Sequence, residues 1–231
     1  MRKGKERIVQ DVIVSWSGGK DSAIALHTLQ QSSDFRVVGL LSTYSEKSGR
    51  LAIHEVLKEM LYAQASSLNL PLYGIGMPDS VTNKAYERIM GEQFEKFISK
   101  GIRAIAYADL FLEDIKLYRE RLLKQHGMRG IFPLWEEDTA SVAGQFIEDG
   151  FKAIVTTVDT EVLPANMAGR MFNHQFLEDL PVHVDPCGEN GEFHTFVYDG
   201  PNFQHGLPIT KGAHFLTFEG KFAHAEIILK S

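Results

Sequence analysis

Val12-Ile13-Val14-Ser15-Trp16-Ser17-Gly18-Gly19-Lys20-Asp21-Ser22 is the stretch on which the fold turns. It begins as a short apolar run rich in β-branched residues, the pattern of a strand buried on both faces. It ends in a glycine-rich turn, and from Ser22 to Gln31 the residues Ile24, Ala25, Leu26 and Leu29 recur at helical spacing. A strand running through a tight turn into a helix aims backbone N–H groups and the positive helix end at one point, which suits a phosphate. Gly18 and Gly19 let the backbone approach closely, Ser17 and Ser22 add hydroxyl donors, and Lys20 adds a positive charge. Asp21 would repel a phosphate on its own, so its presence implies a bridging Mg²⁺. This is neither a Walker loop, since Asp21 follows Lys20, nor a GxGxxG fingerprint.

Outward from this stretch, strand-like and helix-like patterns alternate. Phe35 to Leu41, Pro71 to Ile75 and Ile102 to Tyr107 read as strands, and His54 to Leu68, Val81 to Lys100 and Leu112 to Gln125 as helices. This alternation predicts an α/β fold, a doubly wound, mostly parallel sheet with helices on both faces. After Gly127 the rhythm changes. Ile131 to Trp135, a helix over Thr139 to Glu148 and a strand over Ala153 to Thr157 form one further unit. Glycine and proline then crowd between Pro181 and Gly206, and the end reads as a hairpin, His214 to Phe218 with Phe222 to Leu229. The expected organisation is a nucleotide-binding domain over 8–128 and a smaller C-terminal α+β domain over 129–231.

The 231 residues are 44% hydrophobic and 23% charged, an ordinary globular composition that excludes intrinsic disorder. The net charge of −6 argues against a dedicated nucleic-acid binder. A single cysteine, Cys187, removes every internal disulfide and CxxC pair and points to a reducing cytoplasm. No run approaches the roughly 18 apolar residues of a membrane span. The start, Met1 to Arg7, is basic but is followed only by a short apolar stretch broken at Gln10 and Asp11, so no secretory signal is expected.

A second dense cluster is Cys187-Gly188-Glu189-Asn190-Gly191-Glu192-Phe193-His194-Thr195, followed by Asp199-Gly200-Pro201. Its two carboxylates suit a cationic group or ammonia, or general acid–base work. The competing view is a polar turn leading into a half-buried strand. Other candidates divide similarly. His54, after the second strand, suits either a nucleotide contact or a helix cap. Trp16 suits adenine stacking or the core, and Cys187 a persulfide carrier or a structural thiol. Arg119-Glu120-Arg121 reads as a solvated helix face, although its place after the fourth strand also puts one arginine within reach of phosphates. The nine histidines show no zinc spacing.

Ser17-Gly18-Gly19-Lys20-Asp21-Ser22 resembles the PP-loop of the ATP pyrophosphatases, the adenine nucleotide alpha hydrolase group with a Rossmann-like fold. Such enzymes cleave ATP between the α and β phosphates and transfer AMP to an acceptor oxygen. With the 187–195 cluster, the resemblance narrows to the diphthine–ammonia ligase family and extends from about Asp11 to Pro201. It takes in Asp109, Tyr118-Arg119 and Pro133-Leu134-Trp135. Asn190 stands where that family usually has glycine and His194 where it has glutamate, a version that resembles its bacterial branch.

The resemblance implies ATP and Mg²⁺, with Ser15, Ser17, Gly18, Gly19, Lys20, Asp21, Ser22, Ser42, His54 and Asp109 at the nucleotide and Asp21 on the metal. It implies Gly188, Glu189, Asn190, Gly191, Glu192, His194 and Thr195 at the substrate, and Lys20, Asp21 and Glu192 as catalytic residues. The implied reaction adenylates a carboxylate, which in that family is diphthine on elongation factor 2, and amidates it with ammonia. The acceptor expected here is a carboxylate, one carried on a protein included, the nitrogen donor ammonia or another amine, and the assembly a homo-oligomer. The reaction is expected in a cleft between two domains, with the 187–195 cluster closing over the nucleotide. The competing readings are an RNA-modifying PP-loop enzyme and a non-catalytic ATP-binding sensor.

Overall fold

In the computed structural model, which describes residues 9–230, the first strand β1 (Gln10–Ser15) sits at the middle of a five-stranded sheet. Met1 to Arg7 lies outside the described residues. β1 pairs in parallel with β2 (Phe35–Ser45) on one side and β4 (Ala104–Ala106) on the other. β3 (Leu72–Met77) extends the sheet beyond β2, and β5 (Arg129–Ile131) extends it beyond β4. The order β3-β2-β1-β4-β5 is entirely parallel, and the chain reverses its direction of travel between β1 and β4. Ligands bind at such a switch point, in the crevice outside the carboxyl ends of the strands.

The alternating side chains of β1 explain why it reads as a continuous apolar run. Val12 and Val14 enter one core and Ile13 the other, and all three are fully buried. Helices α1 (Lys20–Gln31) and α2 (Lys58–Ser67) cover the first face, α3 (Asn83–Ser99) and α4 (Glu113–Gln125) the second.

Two elements depart from the periodicity. The second helix starts at Lys58 rather than His54, because Ile53 and Glu55 hold positive φ of 66° and 52°. Those residues belong to a turn closed by Leu51 N–H to the Val56 carbonyl, 2.8 Å, with His54 at its tip. The fifth strand is Arg129–Ile131, not 131–135. Pro133 has no N–H to give a ladder. The parallel sheet thus runs past the expected 128/129 border.

α5 (Thr139–Glu148) lies where expected, with the Asp138 carboxylate accepting from Ser141 N–H at 2.8 Å. The second, antiparallel sheet is built on β6 (Lys152–Asp159). β6 pairs with β7 (Met171–Phe172), with β8 (Phe193–Asp199) and with β10 (Phe222–Leu229), and β9 (Ile209–Thr217) follows β10. The short helix α6 (His174–Glu178) lies between β7 and β8. The terminal hairpin is present, its first strand beginning at Ile209 rather than His214.

The two sheets share one hydrophobic core. Val12, Val14 and Leu26 belong to the same buried cluster as Phe146, Phe151, Phe193 and Phe196. No helix among the described residues is long and apolar enough to cross a membrane.

Candidate functional site

The turn after β1 is held in place from beneath. Gly18 has φ +76°, and a Cβ there would lie 2.7 Å from Gln64 Oε1 and 2.8 Å from Leu61 Cδ2, so only glycine fits. Gln64 is fully buried on α2. Its amide donates to the Gly18 carbonyl at 2.9 Å and the Val197 carbonyl at 2.6 Å, while its oxygen accepts the Trp16 indole N–H at 2.9 Å. Trp16 is therefore fixed as a core residue on the cavity wall. Gly19 caps α1 without a side chain, and Ser22 Oγ donates to the Gly19 carbonyl at 2.9 Å.

The second motif packs directly onto the first. Val197 N–H donates to the Gly18 carbonyl at 2.8 Å, and Lys20 N–H donates to Thr195 Oγ1 at 3.0 Å. Lys20 is only 2% exposed. Its ammonium donates to Asp21 Oδ2 at 2.9 Å and to the Cys187 carbonyl, and lies 5.3 Å from the centre of the Phe193 ring. Burial alone would lower its pKa, but Asp21 and the neighbouring acidic groups outweigh it and hold Lys20 charged. Lys20, expected at the nucleotide, thus has its charge engaged by Asp21 and the Cys187 carbonyl.

Two cavities meet here. The larger, about 360 Å³, opens at the carboxyl ends of β1, β2 and β4 and is lined by Ser15, Ser17, Asp21, Ser22, Ser42, His54 and Asp109. The smaller, about 130 Å³, is lined by Gly19, Lys20, Gly188, Gly191 and Thr195. Ser17, Asp21, His54, Glu189 and His194 border both. The turn at His54 is tied to β6, with Thr157 Oγ1 donating to the Ile53 carbonyl at 3.1 Å. This brings the His54 and His194 rings to 4.4 Å between centres. Burial holds both imidazoles uncharged, lowering His54 to about 4 and His194 well below the ordinary histidine value, with Lys20 pushing the same way.

Gly18, Asn190 and Glu192 line neither cavity. Glu192, expected as catalytic, is 6% exposed and occupied by its own loop. It accepts Asn190 N–H and Asn190 Nδ2–H at 3.0 Å each, and Asp185 N–H at 3.2 Å. That geometry makes it a brace of the loop, with Asn190 as its partner. Glu189 is the carboxylate that faces the cavities, accepting Leu110 N–H at 2.9 Å. Burial raises it to about 7 against the pull of that N–H, and Asp21 adds to the rise. Cys187 donates to the Thr139 carbonyl at 3.3 Å, and burial lifts its thiol to about 12, an inert structural cysteine.

Asp21 Oδ1 is buried with no hydrogen-bond partner among the described residues, which fits one carboxylate ligand of a divalent cation. Among the described residues no cluster of three or more acidic, histidine or cysteine side chains could hold a metal ion. Mg²⁺ suits such a place because it takes most of its ligands from phosphates and water. Two structuring residues escaped the sequence reading. Gln64 is a polar residue on the buried face that Leu61, Ala65 and Leu68 define, a signal open to inspection. Asp185, whose Oδ1 accepts Cys187 N–H at 2.8 Å and Glu189 N–H at 3.1 Å, gave no local sign beyond preceding Pro186.

Comparison with known proteins was consistent with both halves. The diphthamide synthase N-terminal domain matches residues 10–130, and the diphthamide synthase C-terminal domain matches residues 138–228. A diphthine–ammonia ligase of Schizosaccharomyces pombe is 23% identical over 214 residues, covering 84% of this chain and 35% of that protein. A diphthine–ammonia ligase of Danio rerio is 26% identical over 157 residues, covering 61% of each. The chain thus spans 35% and 61% of the lengths of these two curated relatives.

Proposed function

The chain belongs to the diphthamide synthase family, and on that premise we propose that it is an ATP-dependent amidating ligase. ATP occupies the larger cavity, a carboxylate of the acceptor attacks the α-phosphorus, and AMP and pyrophosphate form in sequence with the amide. The observation that carries the reading is the shared wall. Five residues, drawn from the turn after β1, the His54 turn and the 187–195 loop, border both cavities. An adenylate formed on one side of that wall is within reach of a nitrogen nucleophile on the other.

Ser17 and the first-turn N–H groups of Asp21 and Ser22, on the larger cavity's wall, face the phosphate oxygens. Asp21 Oδ1 would hold Mg²⁺, which when bound neutralises phosphate charge. Glu189, raised by burial to about 7, suits the removal of a proton from the attacking nitrogen. The names of the relatives join diphthine and ammonia; for this chain we assign the acceptor as a carboxylate and the donor as ammonia. His194, at the wall between the cavities, gives this chain's acceptor side a neutral imidazole.

The deciding experiment incubates the protein with ATP, Mg²⁺, ammonium and cell extract. AMP and pyrophosphate, with a product in which a carboxylate OH is replaced by NH₂ by mass spectrometry, support the reading. ADP and phosphate as the main products would remove it.

A further inference from the structure

The larger cavity is lined by three carboxylates, Asp21, Asp109 and Glu189, and by two imidazoles that burial keeps uncharged. A nucleotide triphosphate entering it needs positive charge. Lys20 does not supply it, since it borders only the smaller cavity and is engaged by Asp21 and Cys187. Among the described residues Arg119 is the one lysine or arginine on the larger cavity's wall.

We propose that Arg119 binds the phosphates of the nucleotide from the β4 side of the crevice, across from the turn that follows β1. The proposal rests on the reading that this cavity holds ATP. Arg119 lies on α4, the helix that follows β4. Its guanidinium carbon stands 4.3 Å from the centre of the Tyr107 ring, and Nη1 lies 3.0 Å from Asp109 Oδ2. Tyr107 is itself buried and stacked on Phe132, 5.8 Å between centres and 24° between planes. The guanidinium is therefore oriented before any ligand arrives, by a rigid ring on its face and a carboxylate at one edge. The side chain remains 30% exposed, and a five-donor fork held at one edge keeps other donors for phosphate oxygens. Arg121 has no such setting. Its guanidinium packs on Tyr118 at 5.4 Å and it is absent from the walls of the larger cavity. Asp109 acts through Arg119 as a positioning residue.

The test compares ATP with adenosine by calorimetry on the full chain. Removing a charge-assisted phosphate contact costs about ten- to a hundredfold in affinity. Arg119→Ala is expected to lose that much for ATP while adenosine affinity holds, and Arg119→Lys, which keeps the charge but not the fork, to fall between. Unchanged ATP affinity in Arg119→Ala overturns the proposal, as do equal losses for ATP and adenosine, which would mark a damaged wall. If Arg119→Ala fails to fold, Arg119→Lys decides on the same comparison, a selective loss for ATP supporting the proposal and its absence overturning it. A wild-type protein that binds no ATP removes the functional reading and this proposal together, whereas ATP binding that ignores Arg119 removes this proposal alone.

Discussion

The ammonium of Lys20 is bonded to the carbonyl oxygen of Cys187, 167 positions later in the chain. This bond joins the glycine turn after β1 to the loop before β8, beside those of Thr195 and Val197. Lys20→Met keeps much of the volume but leaves Asp21 and a buried carbonyl without their donor. Leaving the buried carbonyl without its donor costs about 1–3 kcal/mol. The variant should therefore unfold at clearly lower denaturant concentration as well as lose ATP turnover. A stability curve that overlays the wild type would show that the bond is incidental.

The two glutamates of the 187–195 loop should part company when each is neutralised. Glu189→Gln retains an oxygen to accept Leu110 N–H, so it should fold normally, bind ATP and form amide at least tenfold more slowly. Glu192→Gln turns an NH₂ group toward the N–H donors of Asp185 or Asn190, and should cost about 1–3 kcal/mol of stability. Melting temperature and kcat measured on both variants would reverse these assignments if Glu192→Gln proved stable and inactive.

Acid should weaken the fold through its buried imidazoles. His54 and His224 are both depressed to about 4 from the ordinary 6.5. Each is neutral when folded and takes up a proton when unfolded, so its stabilising contribution is intact above about 6.5 and is lost as pH falls toward 4. Across that window each group adds a slope of up to about 1.4 kcal/mol per pH unit. Denaturant midpoints followed through the window should fall, and His54→Asn should flatten the curve. An unchanged slope in that variant would mean His54 is not held neutral.

Gln64→Leu tests the support beneath the turn. It removes the buried partner of the Trp16 indole and a donor to the Val197 carbonyl, while the Gly18 carbonyl keeps only the Val197 N–H. Unsatisfied buried groups cost about 1–3 kcal/mol each, so a loss of several kcal/mol and weaker ATP binding are expected. Full ATP affinity in a folded variant would show that the turn holds its shape without Gln64.

The parallel sheet was legible because β1 is buried on both faces and its turn needs glycine, two demands that mark the sequence locally. The second motif stood out by composition. What the residues around it do was not legible, because that depends on contacts far along the chain. Glu189 and Glu192 are the same side chain three positions apart, and only the path of the loop turns one to the cavities and the other to its own backbone. His54 read as a helix start because nothing in Leu51 to Leu57 announces two left-handed residues, one of them the β-branched Ile53. Arg119 and Arg121 are alike in sequence, and Tyr107 with Asp109 tells them apart only in three dimensions.

The buried cluster that joins the two sheets limits how the molecule can work and how it can be divided. Cutting the chain at the expected 128/129 border would divide that cluster, with Val12, Val14 and Leu26 on one side and Phe146, Phe193 and Phe196 on the other, leaving an oily surface in water. Each half serves as the other's solvent shield. Melting should register as a single transition, with neither half surviving the other.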